Sequence, residues 1–172
     1  MAGDFDLRLG GDSDIQHRLS ELQKKLGDLS PLMQGIAKYL EDSTMERFER
    51  ETDPAGKKWK QSIRARVEGG KTLSDSGIGK QSITSDFTAT QARVGTNMGY
   101  MIAHQLGITI LPKKGKALRF KIPGGGFVFA KKVVLPKREF IGLAGEDGAE
   151  VLALAEDYVK SAVPDATGSA AA

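Results

Sequence analysis

Apolar residues along the chain follow two rhythms, one spaced by three and four and one of strict alternation. Ile15, Leu19, Leu22 and Leu26 share the first, with Asp12 or Ser13 as cap and Gly27 as stop, and predict a helix over 14–26. Ser30-Pro31 opens a second helix, whose stripe runs through Met33, Ile36, Ala37, Leu40, Thr44 and Phe48. The short linker between these helices predicts an antiparallel pair. A last helix starts near Glu146, with acids where the helix dipole favours them. Its buried stripe is Val151, Leu152, Ala155, Tyr158, Val159 and Ala162, and Pro164 ends it.

Alternation marks the strands. Phe5, Leu7 and Leu9 suit a short strand or an extended arm. Ile83, Ser85 and Phe87 followed by Ala92 and Val94 predict a hairpin turning at 88–90. The stretch 93–107 then forms a sheet-to-helix corner, where Tyr100 opens one helical turn that Gly107 stops. Tyr100 and His104 lie four apart on one face of that turn. Ile108, Ile110 and Leu111 follow as a strand up to Pro112. Leu118, Phe120 and Ile122 alternate with Arg119 and Lys121, a glycine-rich turn occupies 123–126, and Phe127, Phe129, Val133 and Leu135 return. This is a second, longer hairpin. Its three phenylalanines, Phe120, Phe127 and Phe129, fall on the apolar phase and read as core residues. Residues 52–56 are a strong turn ahead of Trp59, which reads as a core residue pinning that turn, and 64–71 read as an exposed, mobile loop. The order predicts an α+β fold, with two N-terminal helices and a C-terminal helix packed on a mainly antiparallel β-sheet that carries a long basic hairpin. The expected division is an arm over 1–11, one domain over 12–163 and a flexible tail over 164–172.

At 172 residues the chain is long enough for one domain with a real core. It has no cysteine, which excludes disulfides, thiolate metal sites and cysteine nucleophiles. No apolar run approaches the ~20 residues of a membrane span, and no signal peptide is visible at Met1. Net charge is only +3, but no acidic residue occurs between Asp86 and Glu139, where ten of the 25 basic residues lie. Elsewhere 15 basic residues face 22 acidic ones. Such polarity suits head-to-tail self-association or a face turned toward a polyanion. Most of the basic cluster, including Lys113, Lys114, Lys116, Arg119, Lys121, Lys131 and Lys132, decorates the longer hairpin. A solvated strand face that discourages edge pairing explains it as well as contact with DNA or an acidic protein does.

Catalytic chemistry has little to rest on. The run 77–82 lacks the first glycine of a phosphate loop and carries Gln81 after its lysine. Neither His17 nor His104 has a ligand partner at metal spacing, and no nucleophile elbow is present. No catalytic, cofactor or metal site is expected, and His104 reads as a hydrogen-bonded structural residue.

An ordered set of short signals carries a resemblance. These are Phe48, Asp53-Pro54-x-Gly56-x-x-Trp59, Leu73-x-x-Ser76-Gly77 with Ser82-Ile83, Val94-Gly95-Thr96-Asn97, Tyr100-x-x-x-His104-Gln105-x-Gly107 and Pro136-x-Arg138-x-Phe140-Ile141-Gly142. Across 36–159 the chain resembles the tailed-phage virion morphogenesis, or tail-completion, proteins of Mu-like phages. It departs from them at Gly77-Ile78-Gly79, where a family member more often carries Gly-x-Leu. The resemblance implies a non-catalytic structural protein of the virion neck, made in the host cytoplasm, that acts as a homo-oligomeric ring, often a hexamer. Its implied neighbours are head-connector and tail-tube proteins, with DNA passing through the lumen without sequence recognition and no membrane involved. Trp59 and Tyr100 would pack, His104 and Gln105 would hold the corner, and Arg138 would fix the approach to the last helix. Gly77, Gly107, Phe140 and Gly142 complete the implied scaffold motif. The basic residues of the hairpin would face the lumen or a neighbouring protein, and the hairpins and the 64–71 loop would make contacts between subunits. The rival expectation is a small nucleic-acid-binding module that uses the basic hairpin.

Overall fold

A computed structural model describes residues 27–162, together with Ser13 and Lys24. Apart from Lys24, the predicted first helix therefore lies outside the described residues, as do the N-terminal arm and the tail beyond 162. The first described helix, α1 (Ser30–Arg50), follows the three-and-four stripe, with Met33, Ile36, Ala37, Thr44 and Phe48 buried. Leu29, rather than Ser30, is its cap residue, and the Asp28 carboxylate accepts the Ser30 N–H at 2.9 Å. Two short helices follow, α2 (Ile63–Glu68) and α3 (Ile78–Gln81).

Strands β1 (Ile83–Phe87) and β2 (Ala92–Thr96) pair antiparallel from Ile83↔Thr96 to Phe87↔Ala92, so the predicted hairpin forms. Helix α4 (Gly99–Leu106) follows and Gly107 ends it. Strand β3 (Ile108–Ile110) pairs antiparallel with β6 (Val133–Leu135), while β4 (Leu118–Lys121) pairs with β5 (Phe127–Ala130). Helix α5 (Gly145–Ala162) closes the domain. The α+β class stands, but the strands form three separate two-stranded antiparallel ladders rather than one sheet. The second hairpin is nested: β3 and β6 form its base and β4 and β5 its outer part.

Two clusters make the core. One joins Phe48 of α1 to Trp59, Ile83, Val94, Met101, Phe140 and Ile141. The other joins Leu29, Leu32, Met33 and Ile36 to Val151 and Ala155 of α5. No residue of 108–135 belongs to either cluster. That segment is an arm on a core made by α1, the first hairpin, α4 and α5.

Three expectations need correction. Residues 63–68 are helical, because Ser62 caps α2 by accepting the Ala65 N–H and Arg64 donates to the carbonyls of Gly69 and Lys71. The 64–71 segment is thus tied down, not a free loop. On α5, Leu152 is 38% exposed, and Leu154 packs beside Val151 and Ala155 instead. On the outer ladder, Phe127 and Phe129 are 58% and 68% exposed; they are not core residues. The Arg119↔Phe129 and Lys121↔Phe127 pairing puts them on the basic face, opposite to Phe120.

Candidate functional site

The motif residues, scattered over some ninety positions, converge on the first core cluster. Trp59 stands edge-on to Phe48, with ring centroids 5.5 Å apart, and Phe48 touches Phe140 at 5.2 Å. The Trp59 indole N–H donates to the Glu139 carbonyl at 2.9 Å, which ties the 52–59 turn to the 136–142 segment. Gly142 completes that contact. A Cβ there would meet Pro54 Cγ at 2.5 Å, so the turn and the segment approach more closely than any side chain permits.

Gln105 acts as a clamp on the same segment. Its Oε1 accepts the N–H groups of Phe140 and Ile141 at 2.9 and 3.1 Å, and its Nε2 donates to the Ile141 carbonyl at 2.6 Å. A buried amide paired this fully reads out backbone spacing as a short strand would. Arg138 binds the other side of the corner. Its N–H donates to the His104 carbonyl at 2.7 Å and its Nε to the Lys60 carbonyl at 2.8 Å. Its guanidinium also faces His104 Nδ1 at 3.2 Å. Arginine has no acceptor, so Nδ1 must accept and the imidazole proton sits on Nε2. Burial first, and then the adjacent Arg138 charge, hold the His104 pKa below its ordinary value. This histidine is kept neutral and is used as an acceptor.

Gly107 ends α4 at φ 69°, and a Cβ there would lie 2.7 Å from the Lys137 amide nitrogen. Two of the motif residues stand apart from this cluster. Gly77 caps α3 in the left-handed region, and Tyr100 is half exposed, with its hydroxyl against Gly79. Trp59, His104, Gln105, Gly107, Arg138, Phe140 and Gly142 are thus one constellation, every polar member of which is spent on backbone or on a neighbour.

A second constellation escapes the sequence patterns. Asp147, fully buried, accepts from Tyr39 Oη at 2.9 Å, Ser43 Oγ at 2.8 Å, Arg47 at 2.6 Å and the Ala144 N–H at 2.6 Å. Arg47 donates further to the carbonyls of Phe140 and Gly142. Read only as a favourable charge at a helix start, Asp147 is instead the anchor between α5 and α1. The available signal was Arg47 itself, which falls on the buried stripe between Thr44 and Phe48.

Outside the core are two charged surfaces. On the arm, Lys113, Lys114, Lys116, Arg119, Lys121, Lys131 and Lys132 are exposed and make no ion pair among the described residues. Arg119 lies 3.8 Å from the centre of the Phe127 ring, a cation–π contact. Between α1 and α5 a cleft of about 620 Å³ is lined mainly by acids, among them Asp42, Glu46, Glu49, Glu146 and Glu150. Glu49 already bridges Lys71 and Lys80, whose hydrogen bonds lower its pKa to about 2. Glu146 and Glu150 make no ion pair among the described residues. No group of three potential metal ligands occurs among the described residues, and no described helix is long and apolar enough to cross a membrane.

The model of the phage virion morphogenesis family matches residues 11–160 of the chain. The "Mu-like prophage FluMu G protein 2" of Haemophilus influenzae is 31% identical over 154 residues, which cover 90% of this chain and 95% of that protein. No solved structure matches the chain.

Proposed function

Because the chain belongs to the phage virion morphogenesis family, and so acts in building phage particles, we propose that it is a neck protein that completes the tail. In this reading copies assemble as a ring between the head connector and the tail tube, and DNA passes through the lumen. Its work is geometric: docking, passage and termination of tube growth, without catalysis, cofactor or metal.

The observation that carries this reading is the arm. A chain that folded only for its own stability would bury its large apolar side chains, yet Phe127, Phe129 and Val134 are 58%, 68% and 61% exposed on a segment that feeds neither core. Exposed apolar surface on that scale marks a contact made with something else. The test is the mass of the purified protein by light scattering behind gel filtration, at low and high salt, alone and with tail-tube or connector proteins. A discrete ring-sized species, alone or on mixing, is expected. A monomer that ignores those proteins would overturn the reading.

One specific observation favours the rival. Phe127 and Phe129 share a face with Arg119 and Lys121, and exposed aromatics among cations are what a nucleic-acid surface needs. In that case a persistent monomer binds oligonucleotides with an affinity that falls steeply as salt rises.

A further inference from the structure

The arm's outer face has a counterpart on the same chain. It presents Phe127 and Phe129 beside Arg119 and Lys121, which make no ion pair among the described residues, and the exposed Lys131 and Lys132 follow directly after β5. The cleft between α1 and α5 sets Tyr39 and Met45 among five carboxylates and Arg50; Asp42, Glu46 and Glu49 already hold Lys38, Arg50 and the Lys71–Lys80 pair, while Glu146 and Glu150 make no ion pair among the described residues. No arm residue lines the cleft of its own chain, so the arm does not fill the cleft within one copy. We infer that the basic, aromatic face of one copy's arm docks into the acidic α1–α5 cleft of a second copy.

The chemistry favours this occupant over a nucleic acid. Beyond the two phenylalanines the arm also exposes Ile108 and Ile110 on one face of its base ladder and Val134 on the other, with Leu111 just after β3. Aliphatic side chains offer a base no stacking, whereas an apolar protein surface buries them. The Arg119 guanidinium is also occupied by the Phe127 ring, so it can lie flat in an apolar contact while its edge meets a carboxylate. One patch meeting a different patch is a heterologous contact, which propagates head to tail and closes into a ring when the rotation permits. The inference rests on the self-assembly proposed above and names the two surfaces that make it.

The absence of cysteine makes the test clean, because any introduced thiol is the only one in its chain. Gly126 has open space around a Cβ, and Ala149 is exposed beside Glu150. Gly126→Cys and Ala149→Cys proteins, mixed and treated with a short bismaleimide, are expected to give a cross-linked dimer that neither protein gives alone. In parallel, Arg119→Glu with Lys121→Glu should raise the concentration needed for assembly by roughly tenfold or more through like-charge contact. Adding Glu146→Lys and Glu150→Lys to the same chain should restore it. Unchanged far-ultraviolet dichroism and melting would show that each variant folds. Assembly with no mixed cross-link and no rescue overturns this contact while leaving the ring standing. A monomer under every condition overturns both. Loss of oligonucleotide binding in the arm variant, with no mixed cross-link, overturns it in favour of a nucleic-acid face.

Discussion

Replacing Asp147 by Asn removes one charge from a site closed to bulk solvent. The four donors around the carboxylate set the outcome: two, from Arg47 and Ala144, reach Oδ2, and two hydroxyls, of Tyr39 and Ser43, reach Oδ1. An asparagine can keep its oxygen toward Arg47 and Ala144, since neither of those groups can accept. Its amide then faces the two hydroxyls, which can turn and accept. Hydrogen bonding is thus largely retained, and what is lost is the counter-charge of Arg47, itself only 7% exposed. Breaking a buried pair in this way costs about 3–5 kcal/mol, against a total near 5–15 kcal/mol for a domain of this kind. Urea unfolding followed by far-ultraviolet dichroism should show a midpoint lower by roughly 2 M for a typical urea slope. Removing the stranded charge as well, in Arg47→Met with Asp147→Asn, should recover part of the loss. Acid supplies a second check. Burial on its own pushes the Asp147 carboxyl up, but the bonds from Ala144, Ser43 and Tyr39 and the Arg47 charge overcome it and hold its pKa below 3.8. Its contribution is therefore complete above 3.8 and is lost as pH falls through the lower, folded value, so the two proteins should converge in acid. A midpoint within roughly 0.3 M of wild type at neutral pH, or no recovery in the double variant, would refute the reasoning.

Three other outcomes are expected. Phe48→Ala empties the centre of the Trp59–Phe48–Phe140 stack and should cost about 3–5 kcal/mol in the same urea assay, since Phe48 is wholly buried. Gly107→Ala forces a Cβ onto the Lys137 backbone at a positive φ and should cost at least about 1–3 kcal/mol, whereas Gly99→Ala, with open space around it, serves as the unstrained control. The His104 imidazole, followed by NMR, should titrate below 6.5 and move upward in Arg138→Gln. A base whose folded pKa is depressed gives its full stability above 6.5 and loses it as pH falls below that value, so mild acid should loosen the corner before it affects the Asp147 anchor.

Much of the fold was legible because periodicity reports burial. The α1 stripe, the first hairpin and the Gly107 stop each combine a local pattern with a matching cap or turn. The motif residues were legible as a set for another reason: their order and spacing along the chain resemble those of the phage virion morphogenesis family. What the sequence withheld was their partners. Nothing in the spacing of Gln105 says that it accepts from Phe140 and Ile141, and nothing near Asp147 points to Arg47, a hundred residues earlier. Contacts between distant segments follow from topology, and alternation within a strand carries no information about them. The 64–71 segment failed for a smaller reason, since a six-residue helix capped by Ser62 is too short for a periodic signal.

The arm shows how one residue of register changes what a surface is for. Leu118 and Phe120 alternate with charges on β4, and Phe127 and Phe129 alternate on β5, so each strand alone predicts an apolar face turned inward. If Phe120 stood opposite Phe127 or Phe129, both apolar rows would share a face and the cations would form the other. The observed register puts Phe120 opposite Val128, and Arg119 and Lys121 opposite the two phenylalanines. The turn imposes this choice: residues 122–126 close through Ile122 N–H to the Gly126 carbonyl and Gly125 N–H to the Ile122 carbonyl, with Gly124 at φ 68°. Register set by a turn overrides the preference of the strands, since a slip of one position moves a whole row to the other side. The result is a ladder with an apolar face of Leu118, Phe120 and Val128 and a second face where aromatic rings sit among cations. A partner that only masked apolar surface would be served by the first face, and one that only neutralised charge by a lysine-rich strand. Two phenylalanines beside Arg119 and Lys121 call for both kinds of complement at once, which is why the contact inferred above pairs this face with the α1–α5 cleft, where Tyr39 and Met45 lie among carboxylates.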